Sequence, residues 1–157
     1  MRPKVAEAIV GLSNRMMKMK AIQESKADSG TITEREFLIL NLLNQKGKLT
    51  VSKLAEAEPS VSFSTISTDI TKLWRDKKMV TKTVDPGNQR STIVELTEAG
   101  RKAIEIRQKQ RQERFQRLYD ALDTTSQEEE VLLNVVNRAI QYFDNYLQNG
   151  NSQMSDG

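Results

Sequence analysis

The sequence predicts a mainly α-helical fold with a small β-hairpin: a winged helix-turn-helix lobe set between N- and C-terminal helices that dimerise. Three observations carry this expectation. Apolar residues recur at steps of three and four over most of the 157 residues. Two short helical segments follow one another, the second with a hydroxyl-rich outer half. Immediately after them, two β-branched runs, "MVTKTV" and "STIVEL", flank the turn cluster "DPGNQR".

The first helix opens with Pro3, tolerated in a first turn, and carries Val5, Ile9, Leu12, Met16 and Met19 as one stripe. After a break at "ADSG" (27–30), a second helix starts with Thr33 and Glu36 as a capping box. Ile32 and Phe37 are spaced for a hydrophobic staple, and the helix stops at Gly47. Thr50 caps a third, short helix that ends before Pro59. A fourth begins near Ser62 or Ser64, with Ile66, Ile70, Leu73 and Trp74 inward and Ser64, Thr65, Ser67, Thr68 and Lys72 outward.

The hairpin follows, and Thr97 caps the next helix. That helix crosses "RQKQRQER" (107–114), which has no apolar side chain and reads as a solvent-exposed bridge, before an apolar face returns at Phe115, Leu118, Tyr119 and Leu122. The last helix is expected to start with Ser126 and Glu129 as a second capping box. Its stripe is Leu132, Val135, Val136, Ala139, Ile140, Phe143 and Leu147. These readings give one unit over 1–147, with dimerisation helices over 1–26 and 101–147, a DNA-binding lobe over 31–100, its wing over 80–96, and a flexible tail over 148–157.

Composition narrows the chemistry. The chain has neither cysteine nor histidine, so disulfides, thiolate or imidazole metal ligands, cysteine nucleophiles and imidazole bases are excluded. No phosphate-binding glycine loop or paired-acid constellation supports a carboxylate enzyme; the chain reads as a non-enzyme with no cofactor. The net charge is only +3, but it is unevenly spread: from Ser126 onward five acids face Arg138 alone, a net of −4, which leaves +7 on residues 1–125. The longest apolar run is four residues, Phe37–Leu40, too short for a membrane span, and a cytoplasmic protein is expected.

A hairpin after a helix-turn-helix is a wing, and an arginine on it reaches what the helix cannot. The helix reads base edges in the major groove, while Arg90 suits the narrow, strongly negative minor groove. Over this stretch the sequence resembles the multiple-antibiotic-resistance regulator (MarR) family of winged-helix transcription factors. The order helix, helix, short helix, recognition helix, wing, long helix, long helix matches, as does "LTEAG" (96–100) after the wing. The resemblance implies a homodimer on double-stranded DNA with a pseudo-palindromic operator, usually a repressor and often released by a small-molecule effector; no effector contact can be carried over to a residue here.

Three positions depart from the family pattern: Asn88 stands where an acid commonly braces the wing arginine, with Asp85 as its substitute. Asp69 follows Thr68 where a basic residue is frequent, and "DKKMV" has no glycine in the turn after the recognition helix.

The candidate DNA-binding residues are therefore Ser62, Ser64, Thr65, Ser67, Thr68, Lys72 and Arg90, with Asp85, Gly87 and Asn88 supporting the wing. Lys72, Lys77, Lys78 and Lys82 are read as solvated charges that together neutralise phosphates. Trp74 is assigned to the core and Phe63 to neither side. The methionines near the end of the first helix are read as core or dimer contacts. The competing class is a winged helix used for protein contact, motivated by Asp69 and the low basicity of the recognition helix.

Overall fold

Backbone hydrogen bonding turns the predicted pattern into six helices and three strands among the described residues, 1–25 and 32–154 of a computed structural model, with side chains described except at 24, 25 and 151–154. The break at "ADSG" lies outside them, as do residues 155–157. α1 is Arg2–Ser25. α2, Glu34–Lys46, starts on the expected capping box: the Glu36 N–H donates to Thr33 Oγ1 (3.2 Å) and the Thr33 N–H to Glu36 Oε2 (3.1 Å). Ile32 and Phe37 are both buried beside it. Gly47, at φ +79°, ends α2 in a conformation that disfavours a side chain.

β1, Leu49–Thr50, was not expected, because two residues carry no alternation. It exists by pairing with the wing, Leu49 opposite Val94 and Thr50 opposite Ile93. α3 is Val51–Ala57, with the Thr50 side chain accepting the Lys53 N–H, and α4 is Phe63–Arg75, capped by Ser62. β2 (Val80–Asp85) and β3 (Asn88–Leu96) form the hairpin in an antiparallel sheet of order β1-β3-β2, with a register irregularity at Val84/Asp85. α5 spans Glu98–Ala121 and α6 spans Ser126–Met154.

The chain divides into two compact units, 1–109 and 110–157. In the first, Leu40, Leu43, Leu54, Ile66, Ile70, Leu73, Val80, Val94 and Ile104 are fully buried, so α2, α3, α4 and the wing share one core. Each such side chain contributes about 1.5–3 kcal/mol by leaving water. The core ends at Ile104 because the polar stretch that follows has no apolar side chain to extend it. Arg107, first residue of that stretch, is nonetheless not solvated: it donates to the Ile32 carbonyl and to Glu34 Oε2, both at 2.8 Å, and its guanidinium lies 5.8 Å from the centre of the Phe37 ring.

In the second unit, the capping box of α6 falls one residue earlier than expected. The Thr125 N–H donates to Glu128 Oε2 (2.8 Å) and the Glu128 N–H to Thr125 Oγ1 (3.3 Å), which makes Ser126 the first helical residue. The hydrogen bond from the Thr125 backbone holds the Glu128 carboxyl below the usual glutamate range. α6 continues to Met154 rather than yielding to a tail at 148. Its Asn and Gly residues each cost under about 1 kcal/mol in a helix, and no proline interrupts it.

The glycine-free turn after α4 is made by Lys78, at φ +55°. Its carbonyl accepts from Thr97 Oγ1 (2.8 Å), and the next N–H, of Met79, reaches back to the Leu73 carbonyl (2.8 Å). A left-handed non-glycine residue costs about 1–2 kcal/mol, of which glycine's extra backbone entropy cancels about half. Lys78→Gly is accordingly expected to raise stability by about 0.5–1 kcal/mol, read as a higher melting temperature; a lower one would mean that the lysine stem packs more favourably than its backbone is strained.

Candidate nucleic-acid interface

Helix α4 is amphipathic in the sense the interface requires. Ile66, Ile70 and Leu73 point into the core at 0–1% exposure, which turns Ser64, Thr68 and Lys72 outward; all three are exposed. Thr65 and Ser67 are half-buried at the edges of that face. Ser62 is the N-cap: its Oγ accepts the Thr65 N–H (3.2 Å) and lies 3.3 Å from Ser64 Oγ and 2.8 Å from Thr65 Oγ1. Its hydroxyl thus serves the helix start first. Thr68 and Thr71 each donate to the carbonyl four residues back, Ser64 and Ser67 respectively (2.9 and 3.0 Å), which fixes their rotamers. A shallow groove runs along this face between Ser67, Thr68, Thr71, Lys72 and Arg75. Thr71 and Arg75 were not among the expected site residues. Their spacing of four and eight from Ser67 is the signal that could have found them.

Asp69 does not lie on the outer face. Only 3% exposed, it receives both Nε (2.7 Å) and Nη2 (3.2 Å) of Arg35 from α2. On the helical wheel it lies about 40° from Leu73 and about 60° from Ile66, on the flank of the inward stripe that faces α2, so its charge is met inside the fold and opposes no phosphate. That hydrogen bond, and after it the Asp69 charge, push the Arg35 guanidinium still further above its ordinary value.

Lys77 also departs from expectation: its ammonium donates to Glu36 Oε2 at 2.6 Å, with both side chains largely buried, and is not a free phosphate ligand. Trp74, expected in the core, is 43% exposed, because its position is at the margin of the inward stripe. The ammonium of Lys82 on β2 sits 5.1 Å from its ring centre and 3.5 Å from Thr71 Oγ1, bracing wing against helix. Phe63 is exposed.

The hairpin tip is Pro86-Gly87, and Arg90 stands three residues past it, exposed on β3. Asp85 Oδ1 accepts the Gly87 N–H (2.9 Å) and so closes the turn instead of bracing the arginine side chain. Asn88 Oδ1 accepts the Arg90 backbone N–H at 3.1 Å. The three wing-support residues therefore shape the backbone that presents Arg90, and among the described residues no carboxylate holds its guanidinium. The described residues contain no group of three or more acidic side chains suited to a metal, and no helix among them is long and apolar enough to cross a membrane.

No family model matches the chain, and no curated protein matches it either. Solved structures do. YusO from Bacillus subtilis aligns with a TM-score of 0.72 at 19% identity, over 87% of this chain and 94% of that one. FabT of Streptococcus pneumoniae, solved in complex with DNA, aligns at 0.65 and 15% identity over 92% and 99%. A MarR family protein from Bacillus stearothermophilus aligns at 0.63 and 21% identity over 88% and 91%. The chain has the winged-helix fold of these proteins.

Proposed function

We propose that this chain is a MarR-family regulator of transcription, a homodimer that binds a pseudo-palindromic operator. On this reading α4 of each subunit enters a major groove and Arg90 of each wing the flanking minor groove. The observation that carries it is the joint exposure of Ser64, Thr68, Lys72 and Arg75 along α4 beside a wing that projects an unbraced Arg90, in a fold shared with a protein solved on DNA. Repression and release by a small-molecule effector belong to the same proposal and rest on the family resemblance.

The dimer is supported by what the helices leave uncovered. On α1, Val5, Ile9, Leu12, Met16 and Met19 are 42–61% exposed. On α6 the apolar positions from Val131 to Leu147 cover an arc of about 200° at 100° per residue, all of it exposed. An apolar surface of that extent marks an association site.

The deciding experiment is fluorescence anisotropy with the chain's own upstream DNA and a scrambled duplex, each across a salt series. Tight binding with a steep salt slope and a weak scrambled control is the expected result. Binding insensitive to salt, or equal for both duplexes, would reject sequence-specific regulation. Arg90→Ala is expected to weaken operator binding by about 1–3 kcal/mol, some 5- to 150-fold, with the melting temperature unchanged. Unaltered affinity would remove the wing from the mechanism. The protein-contact reading now rests on the low basicity of α4 alone, since Asp69 is paired with Arg35, and the same salt series tests it.

A further inference from the structure

Apolar packing is non-directional, and Ile66, Ile70 and Leu73 would stay buried over a range of rotations of α4 about its own axis. Directional contacts must choose among those rotations. Beside the exposed-edge contact of Lys82 with Thr71 and Trp74, two bonds from the buried side do so, and both start from adjacent residues in the first turn of α2. Arg35 grips the middle of α4 through a two-point bond to Asp69 (2.7 and 3.2 Å), and Glu36 grips the chain just past its end through Lys77 (2.6 Å).

Asp69 and Glu36 are only 3% exposed. Each is thus a buried carboxylate whose charge is met by its assigned partner, the arrangement that specifies geometry more than it adds stability. The same α2 turn is fixed in its own right: Arg107 of α5 bonds the Ile32 carbonyl and Glu34, and Lys20 of α1 lies 3.4 Å from Glu34 Oε1.

We infer that Arg35 and Glu36 are positioning residues that set the rotation of α4, and so decide that Ser64, Thr68 and Lys72 are the side chains offered to a groove. Thr68 and Asp69 are neighbours about 100° apart on the helix, so holding one inward points the other out. The inference rests on the DNA-binding reading for its consequence, but not for its geometry. Arg35 is half-exposed, which raises the rival possibility that its guanidinium touches a phosphate itself; the salt slope separates the two roles.

The test uses Arg35→Gln, Arg35→Lys, Asp69→Asn and the Arg35→Gln/Asp69→Asn double variant of the full chain. For each, operator affinity is measured across salt, with amide hydrogen exchange over 63–75 and a melting curve. Arg35→Gln is expected to lose about tenfold in affinity, with faster exchange in α4 and an unchanged salt slope. The double variant should stay within about threefold of Arg35→Gln, because removing the stranded charge does not restore the two-point bond that fixes the rotation. Arg35→Lys, which keeps the charge and loses the planar fork, should fall with Arg35→Gln.

A slope reduced by about one in Arg35→Gln would identify a phosphate contact and overturn the positioning role. Affinity and exchange both equal to the parent's would overturn it too. Should the parent chain itself lack salt-dependent preference for its upstream DNA, the functional reading falls while exchange over 63–75 still decides the inference: unchanged rates in Arg35→Gln refute it, faster rates sustain it.

Discussion

Gly100→Ala is expected to destabilise the first unit by about 2–4 kcal/mol and to lower the melting temperature by about 5–15 °C. The conformation at Gly100 is not the reason. A Cβ there would lie 2.3 Å from the Met79 carbonyl oxygen and 2.7 Å from Leu96 Cδ1, and the first of these is backbone that no rotamer change can withdraw. That carbonyl accepts the Thr97 N–H at 3.0 Å, and the Gly100 N–H in turn donates to Thr97 Oγ1 at 3.2 Å. Relieving the clash therefore loosens the bonds that tie the foot of the wing to the start of α5, in addition to displacing Leu96 from the core. Gly150→Ala is the control: a Cβ there meets nothing within 4 Å, and stability should hold or rise by up to about 1 kcal/mol. Equal melting temperatures for Gly100→Ala and the parent would show that α5 can shift on the hairpin at little cost.

This glycine closes the "LTEAG" stretch that carried the family resemblance, and the structure supplies the physical demand behind the motif. Other features were legible for a similarly local reason. Thr33, Thr50, Ser62 and Thr97 cap helices because a side-chain oxygen needs only an N–H three residues on, and that relation is written in the sequence. The same locality explains the error at α6. Both Thr125 with Glu128 and Ser126 with Glu129 satisfy the spacing, and only the bonds made by Glu128 decide between them.

What depended on distant partners was not legible. Asp69 looked like a defect in a DNA-reading helix because its counterion lies 34 residues earlier, and Lys77 looked solvated because Glu36 lies 41 residues away. β1 is a strand only by virtue of Val94 and Ile93. Trp74 was misassigned because a residue at the margin of a helical stripe is inward or outward according to its neighbours, here Lys82. The outward face of α4, by contrast, followed from the apolar spacing of Ile66, Ile70 and Leu73 alone.

If the proposed dimer forms through α6, Val136→Asp/Ile140→Asp is expected to leave a monomer at micromolar concentration and to cost at least about 100-fold in operator affinity. Both side chains sit within the apolar arc of α6, at 43% and 53% exposure in the isolated chain, so the change burdens neither the fold of the first unit nor its core. Its whole effect falls on association, where two subunits would have to bury four unpaired carboxylates, each costing several kcal/mol. The loss of DNA binding then follows from valency. One winged lobe on one half-site forfeits the effective concentration that a linked second lobe provides, commonly worth 10² to 10⁴ in affinity, about 100-fold at the least. Sedimentation equilibrium reads the first consequence and anisotropy the second, while an unchanged melting curve for the first unit excludes unfolding as the cause. A double variant that still sediments as a dimer would show that α6 is not the interface. A monomer that keeps full affinity would separate dimerisation from recognition, and would leave α4 and Arg90 of a single chain to account for the operator.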